Sequence, residues 1–363
     1  MSNVTVPITA DGHKIAPDWS SEDRPFVRMA VGAVTALVAV SLLVIDGGVA
    51  ILLYKLRPLK ANFAILYLSM VTLECTNLLI FAVWQAPVVA FGNESLGYSL
   101  FGQRIVHFMV FMYNMIVFLM AAVALNRFVA ITMPYKYNKY FTKNSGLLML
   151  AVVFVLAVLN TSMYWFDGCG CYISPAQLGL VFEFTACGAV LWWHCLASCS
   201  IAMLILVVFN AMTVWNLHGK KKKAQSQVLF HRRQHQQSEL NQAAIKYIDP
   251  TTVTMRTIAL HEQQKAEMTK AENMKKIELR FFIQALCNAI AYEGTVVSYH
   301  VFSLFCSSAL GFFLLANLPL ITTHGSNGVI MLCVNGELRT SIKEWFRAKM
   351  SRGDTLAPTT HTL

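Results

Sequence analysis

The sequence predicts an all-α membrane protein, a bundle of seven transmembrane helices followed by a short amphipathic helix. Three observations carry that prediction. The 363-residue chain is 56% hydrophobic and 13% charged, with a mean hydropathy of +0.52, too apolar for a soluble domain of this size. Seven apolar runs reach the roughly 17 to 25 residues that a helix needs to cross the hydrocarbon. Lys and Arg concentrate in alternate links between those runs, as topology signals do. Helices are required because backbone groups in lipid must be satisfied within their own segment. No ten-residue alternating strand pattern competes.

Residues 1–28 precede the first run and read as an extracellular tail. They are polar, contain Pro7, Pro17 and Pro25, and lack the charged-then-apolar pattern of a cleavable signal, so the first span is expected to act as the targeting signal. The apolar region covers residues 29–335. Its spans are expected at about 29–54, 63–91, 105–132, 147–165, 190–214, 279–305 and 310–334. The links after spans one, three and five carry Lys55, Arg57 and Lys60, then Lys136, Lys139 and Lys143, then Lys220 to Lys223. They are expected inside, which places the N-terminus outside. Two glycosylation triplets, at Asn3 and Asn93, fall on that outer side. A third, at Asn160, sits within span four and is expected to go unused.

The net charge of +10 forms no basic, aromatic-interleaved face, so nucleic acid is not an expected partner. Most of the nine cysteines fall inside apolar runs, where a thiol behaves as a small hydrophobe. Three invite a redox reading: Cys171 with Cys187, Cys169 with Cys187, or no bridge at all are all open.

Polar side chains inside the spans demand partners or a wet cavity. They are Asp46, Thr72, Glu74, His107, His194, Glu293, His300 and His324. Glu293 and His300 lie about two turns apart on one helix face. The link at about 216–277 is read as a long cytoplasmic third loop, disordered in its Gln-, His- and Lys-rich first half. Span six is expected to extend several turns beyond the membrane. Residues 336–363 supply an amphipathic surface helix, with Ile342, Trp345 and Phe346 on one face, and a polar tail.

The third span ends in Asn126-Arg127-Phe128-Val129-Ala130-Ile131, followed by Pro134-Tyr135-Lys136-Tyr137. An arginine in hydrocarbon costs several kcal/mol, so Arg127 marks a membrane edge. This stretch resembles the Asp-Arg-Tyr end of the third helix in rhodopsin-like G-protein-coupled receptors. The finer resemblance is to the nematode serpentine chemoreceptors of class X. Lys275-Lys276-Ile277-Glu278 with Phe281-Phe282-Ile283-Gln284 is similar to that family's entry to helix six, and Asn327-Gly328 with Asn335 to Arg339 to its ending.

The resemblance implies a seven-helix receptor, not an enzyme, in the cell membrane and in the cilia of sensory neurons. It implies an extracellular small organic or peptide ligand and a heterotrimeric G protein contacted through Asn126, Arg127, Phe128, Pro134 and Tyr135. Asn126 replaces the usual acid beside Arg127, which implies a looser closed state and some basal signalling. Span six lacks a proline, and Gly102 stands where a disulfide cysteine would tie span three to the outer loop. Span seven contains no lysine, so no retinal Schiff base and no other cofactor is expected. Span three has no acid between residues 105 and 125, which argues against an amine ligand. What remains is an apolar, weakly polar cavity, with Met109, Tyr113, Trp192, Trp193, Glu293 and His300 as candidate liners. Trp192 and Trp193 are equally readable as interfacial belt residues.

Two other classes stay in view. A transporter or channel would show internal repeats or paired intramembrane charges, and no repeat is visible. A membrane metal hydrolase would need His107, His194, His300 and His324 together, but they lack metal-ligand spacing.

Overall fold

The computed structural model describes residues 25–56, 61–133, 137, 142–166, 168–183, 185–243, 269, 279–280, 282–334, 336, 339–340, 343–344 and 347. Asn3, Pro134, Tyr135 and most of the surface helix and tail lie outside the described residues. Span one is Pro25–Leu56. Span two is Ala61–Ile80, continued through a π turn, Phe81–Gln85, into Ala86–Phe91. After a short helix, Glu94–Tyr98, span three runs over Leu100–Thr132. Span four is Lys143–Thr161 with a 3-10 turn, Ser162–Trp165. Span five begins at Ala186, span six covers 282–300, and span seven joins Ala309–Phe312, a π turn at Phe313–Asn317, and Leu318–Val334.

Span three is the axis of the bundle: its middle, from Met112 to Met120, is nearly all buried. One apolar cluster around Ile116, Leu119, Leu206 and Tyr292 fills the centre. A second, around Phe81, Tyr164, Ile173 and Phe313, fills the end that carries the loop between spans four and five. The outward faces remain apolar, with Leu37, Leu148, Leu204 and Ile290 exposed, as lipid contact requires.

That loop contains an antiparallel hairpin which the alternation test for long strands does not detect. Strand β1, Cys171–Ser174, pairs with β2, Gly179–Phe182, with Cys171 opposite Phe182 and Ser174 opposite Gly179. The turn between them, from Pro175 to Leu178, ends with Leu178 at φ 57°, a left-handed conformation that costs energy in a branched residue. Leu178 is nonetheless buried, and that burial offsets the cost.

The two π turns have a common origin. Each lies just ahead of a proline, Pro87 or Pro319, whose missing N–H interrupts the helical ladder. Pro319 frees the carbonyl four residues back, on Leu315, and Ser298 Oγ of span six donates to it. Span six therefore completes the hydrogen bonding of span seven.

Span five corrects the expectation for the third loop. Its membrane-crossing part ends at Asn216, close to the expected 214, but the helix continues to Ala243, 58 residues in all, about 87 Å at 1.5 Å per residue, where disorder was expected. Between 220 and 249 there is neither Gly nor Pro, and Lys, Gln, Ala and Leu are good helix formers. Gly102 also finds its reason here: a Cβ there would run into the carbonyls of Leu96 and Gly97, so the tight entry to span three excludes a cysteine.

Candidate functional site

A cavity of about 60 Å³ lies between spans two, three, five, six and seven under the hairpin. Met109, Tyr113 and His300, three of the residues expected from the sequence, line it. Phe81, Leu180, Phe182 and His324 join them. No Asp, Glu, Lys or Arg is among the lining residues, so the space suits uncharged matter.

The hairpin forms the roof, and Leu180 fastens it to spans six and seven. Leu180 N–H donates to Asn317 Oδ1 of span seven at 2.8 Å, and Leu180 C=O accepts from Tyr299 Oη of span six at 2.9 Å. Gly179 permits this, because any Cβ there would overlap the Asn317 amide. A disulfide joins Cys169 to Cys187 in the first turn of span five, with Cα atoms 4.9 Å apart. This corrects the pairing of Cys171 with Cys187. Cys171 lies within β1 and is fully buried, and burial pushes its thiol well above the ordinary range.

The other candidate liners separate. Trp192 is not in the lining but packs edge-on against the His300 ring at 4.7 Å. Trp193 is 59% exposed and faces outward, because adjacent residues on a helix point about 100° apart. Glu293 does not line the cavity either: its Oε1 accepts from Ser200 Oγ of span five at 2.8 Å. The sequence pairing of Glu293 with His300 is therefore not a cavity pair.

Below the cavity floor, polar side chains from four spans form one network. Tyr113 lies 5.8 Å, centroid to centroid, from Tyr292. Tyr292 Oη donates to Glu74 Oε1 at 3.1 Å, and Asn327 Nδ2 donates to Glu74 Oε2 at 3.2 Å. Asn327 Oδ1 accepts from Asn288 at 2.7 Å and from Tyr67 at 3.1 Å, and Tyr67 Oη accepts from Gln284 at 3.1 Å. Asp46 of span one stands against Gly328, with neither oxygen hydrogen-bonded to a side chain among the described residues. Arg127 follows at the far end of span three. At that same end Asn126 is buried and accepts from Tyr137 Oη at 3.3 Å, and Phe128 packs on Phe209 of span five at 5.6 Å.

Sequence reasoning that singled out ionisable groups missed the amides of this network, Asn288, Asn327 and Gln284, although unpaired amides in apolar runs carry the same signal. Asn160 was another. Its Nδ2 donates to Asn114 Oδ1 at 2.8 Å, and its Oδ1 lies 2.9 Å from His194 Nε2, so it ties spans three, four and five. Thr72, by contrast, only bonds back to the Leu68 carbonyl and is exposed. The four span histidines take separate partners: His107 meets Arg104, His194 meets Asn160, His324 meets Asn77, and His300 meets Trp192. Among the described residues no group of three or more His, Cys, Asp or Glu is placed to hold a metal.

The fold is similar to the crystal structure of squid rhodopsin, with a TM-score of 0.61, 14% identity, and coverage of 93% of this chain and 90% of that one. Curated protein sequences give no match. The family described as serpentine type seven-transmembrane G-protein-coupled chemoreceptor Srx matches residues 37–248 and 242–335. Its match covers most of the chain, through all seven spans and the Asn126-Arg127-Phe128 edge. The chain belongs to the Srx family of serpentine seven-transmembrane G-protein-coupled chemoreceptors.

Proposed function

We propose that this receptor binds an extracellular ligand in the cavity under the hairpin and activates a heterotrimeric G protein at the Arg127 end. In this reading the N-terminus and hairpin face outside, Asn3 and Asn93 are available to glycosylation, and the receptor serves in the membrane of a sensory cell, in its cilia. The observation that carries the reading is the chain of contacting side chains from Tyr113 in the cavity through Tyr292, Glu74 and Asn327 to Tyr67, with Arg127 on the same span as Tyr113 and at its other end.

A ligand shifts a receptor only to the extent that it binds one arrangement better than the other. Met109, Tyr113 and His300 come from spans three and six, so a ligand touching them acts on the relative placement of those spans. Trp192 supports His300 from span five. Movement of span six pulls on Asn288, Tyr292 and Gln284 together, and so reaches Glu74, Asn327 and Tyr67. Asn126, Arg127 and Phe128, with Pro134 and Tyr135 beyond them, form the surface offered to the G protein. The test is a G-protein activation assay in cells against volatile and soluble odorants, run with Arg127→Ala at matched surface expression. Activation is expected to fall to background in the variant; an unchanged response overturns the coupling role.

A further inference from the structure

Two adjacent cavity residues carry buried polar atoms that meet no hydrogen-bond geometry among the described residues, the thiol of Cys199 beside the Tyr113 hydroxyl being a weak acceptor at best. Tyr113 and His324 both line the cavity, and their rings meet edge to face at 5.8 Å. Tyr113 Oη and His324 Nδ1 are each buried and make no hydrogen bond among the described residues. Buried polar groups left without a partner are destabilising and uncommon, so two side by side in one cavity lining point to a ligand.

The partner of the other ring nitrogen decides what kind of ligand. His324 Nε2 lies 3.5 Å from Asn77 Nδ2. With the Asn77 amide oriented so that its NH2 faces the ring, Nε2 accepts, and this assignment puts the hydrogen of the neutral imidazole on Nδ1. His324 Nδ1–H and Tyr113 O–H are then both donors. Two donors on neighbouring rings match the two lone pairs of one carbonyl oxygen.

The rest of the cavity narrows the class. With no ionised side chain in the lining, an ammonium or carboxylate would enter without a counter-charge. The volume of about 60 Å³ is below the roughly 150 Å³ apolar cavity that accepts benzene. The cavity is partly open, so it receives a group of a few heavy atoms and leaves the rest of a ligand outside it. We infer that the cavity takes an uncharged group bearing a carbonyl oxygen, as in a short ketone, held by Tyr113 and His324. This rests on the reading of the cavity as the ligand site.

The inference is tested by binding to the purified full chain in nanodiscs, read by saturation-transfer NMR, with butanone and its methylene isostere 2-methyl-1-butene. The isostere has the same shape but no acceptor, so the ratio of the two affinities isolates the hydrogen bonds from the apolar contribution. That ratio is expected to fall about five- to ten-fold in Tyr113→Phe, the effect of one hydrogen bond, while the affinity for the isostere stays the same. His324→Phe provides the same ratio test should Tyr113→Phe not fold. An unchanged ratio, or no binding of butanone to the wild-type chain, overturns the inference. So does displacement of butanone by a small amine or carboxylate at equal concentration. If the receptor still activates its G protein through Arg127 with another ligand in any of these cases, the receptor reading stands and the ligand class alone is wrong.

Discussion

The Asp46 carboxyl of span one occupies the space where a Cβ on Gly328 of span seven would stand. A span-seven glycine is thus required by an acid 282 positions away in the sequence. Gly325, one turn earlier, is held to the same standard by the Leu42 side chain. Together they set how closely spans one and seven approach.

Gly328→Ala is therefore expected to destabilise the receptor by about 1–3 kcal/mol, the usual cost of forcing extra atoms into a packed core. Thermal unfolding in detergent reads this directly. Asp46→Ala in the same chain is expected to recover most of the loss, because it removes the atoms that collide. Equal loss in single and double variants would separate Gly328 from Asp46.

Asn327 links Glu74, Asn288 and Tyr67 at once, so Asn327→Ala leaves several buried groups short of a partner. The expected loss is about 2–4 kcal/mol, at one to three for each unsatisfied group with partial relaxation. In a double-mutant cycle with Glu74→Gln the effects should be less than additive. Additivity within about 0.5 kcal/mol would mean that the two act independently.

The disulfide and the free thiol should respond in opposite ways. Cys169→Ser and Cys187→Ser each break the same bridge, and each is expected to cost about 3 kcal/mol for a loop of this length. Cys171→Ser leaves the bridge intact in peptide mapping. Burial raises the Cys171 thiol, so it stays protonated through neutral pH and into the range where ordinary thiols ionise. Its alkylation in the folded receptor should stay slow between pH 7 and 9. Rapid maleimide labelling at pH 7 would contradict its placement in β1.

At the Arg127 end, Asn126→Asp keeps the acceptor for Tyr137 Oη and adds a negative charge next to Arg127. Basal G-protein activation is expected to fall, by about three- to ten-fold, given that a charge-assisted hydrogen bond contributes more than a neutral one. A cell-based assay without added ligand measures it. Unchanged basal activity would show that the neutral asparagine is not what loosens the closed state.

Adjacent tryptophans separate the interior from the lipid face. Trp192→Ala removes the ring packed on His300 and should weaken a ligand response about ten-fold, whereas Trp193→Ala should leave it within two-fold. Dose–response curves at matched surface expression decide this. Similar losses in both would place Trp193 inside the bundle.

What the sequence by itself determined is the part that lipid and short range impose. A hydrocarbon layer demands about twenty apolar residues per crossing, so seven spans and their order are legible from composition alone. The Asn126-Arg127-Phe128 edge and the spaced motifs near spans six and seven carry the family, because each is contiguous in the chain. Met109, Tyr113 and His300, named from their place in the outer half of spans three and six, fall in the cavity lining, while their contact with a ligand stays a proposal. Trp193 and Glu293 were not excluded, because composition does not show how far each helix is rotated about its axis.

Only the tertiary structure decided which polar groups meet. Glu74 and Asn327 are separated by 253 positions, and nothing near either one names the other. The same holds for the choice of Cys169 over Cys171, which turns on Cys171 being drawn into a buried strand, and for Leu180, whose two backbone bonds to spans six and seven make an unremarked loop residue the fastening of the roof. Helix rotation, close approach at glycines and the path of a loop are products of packing, and packing is settled by the whole chain at once.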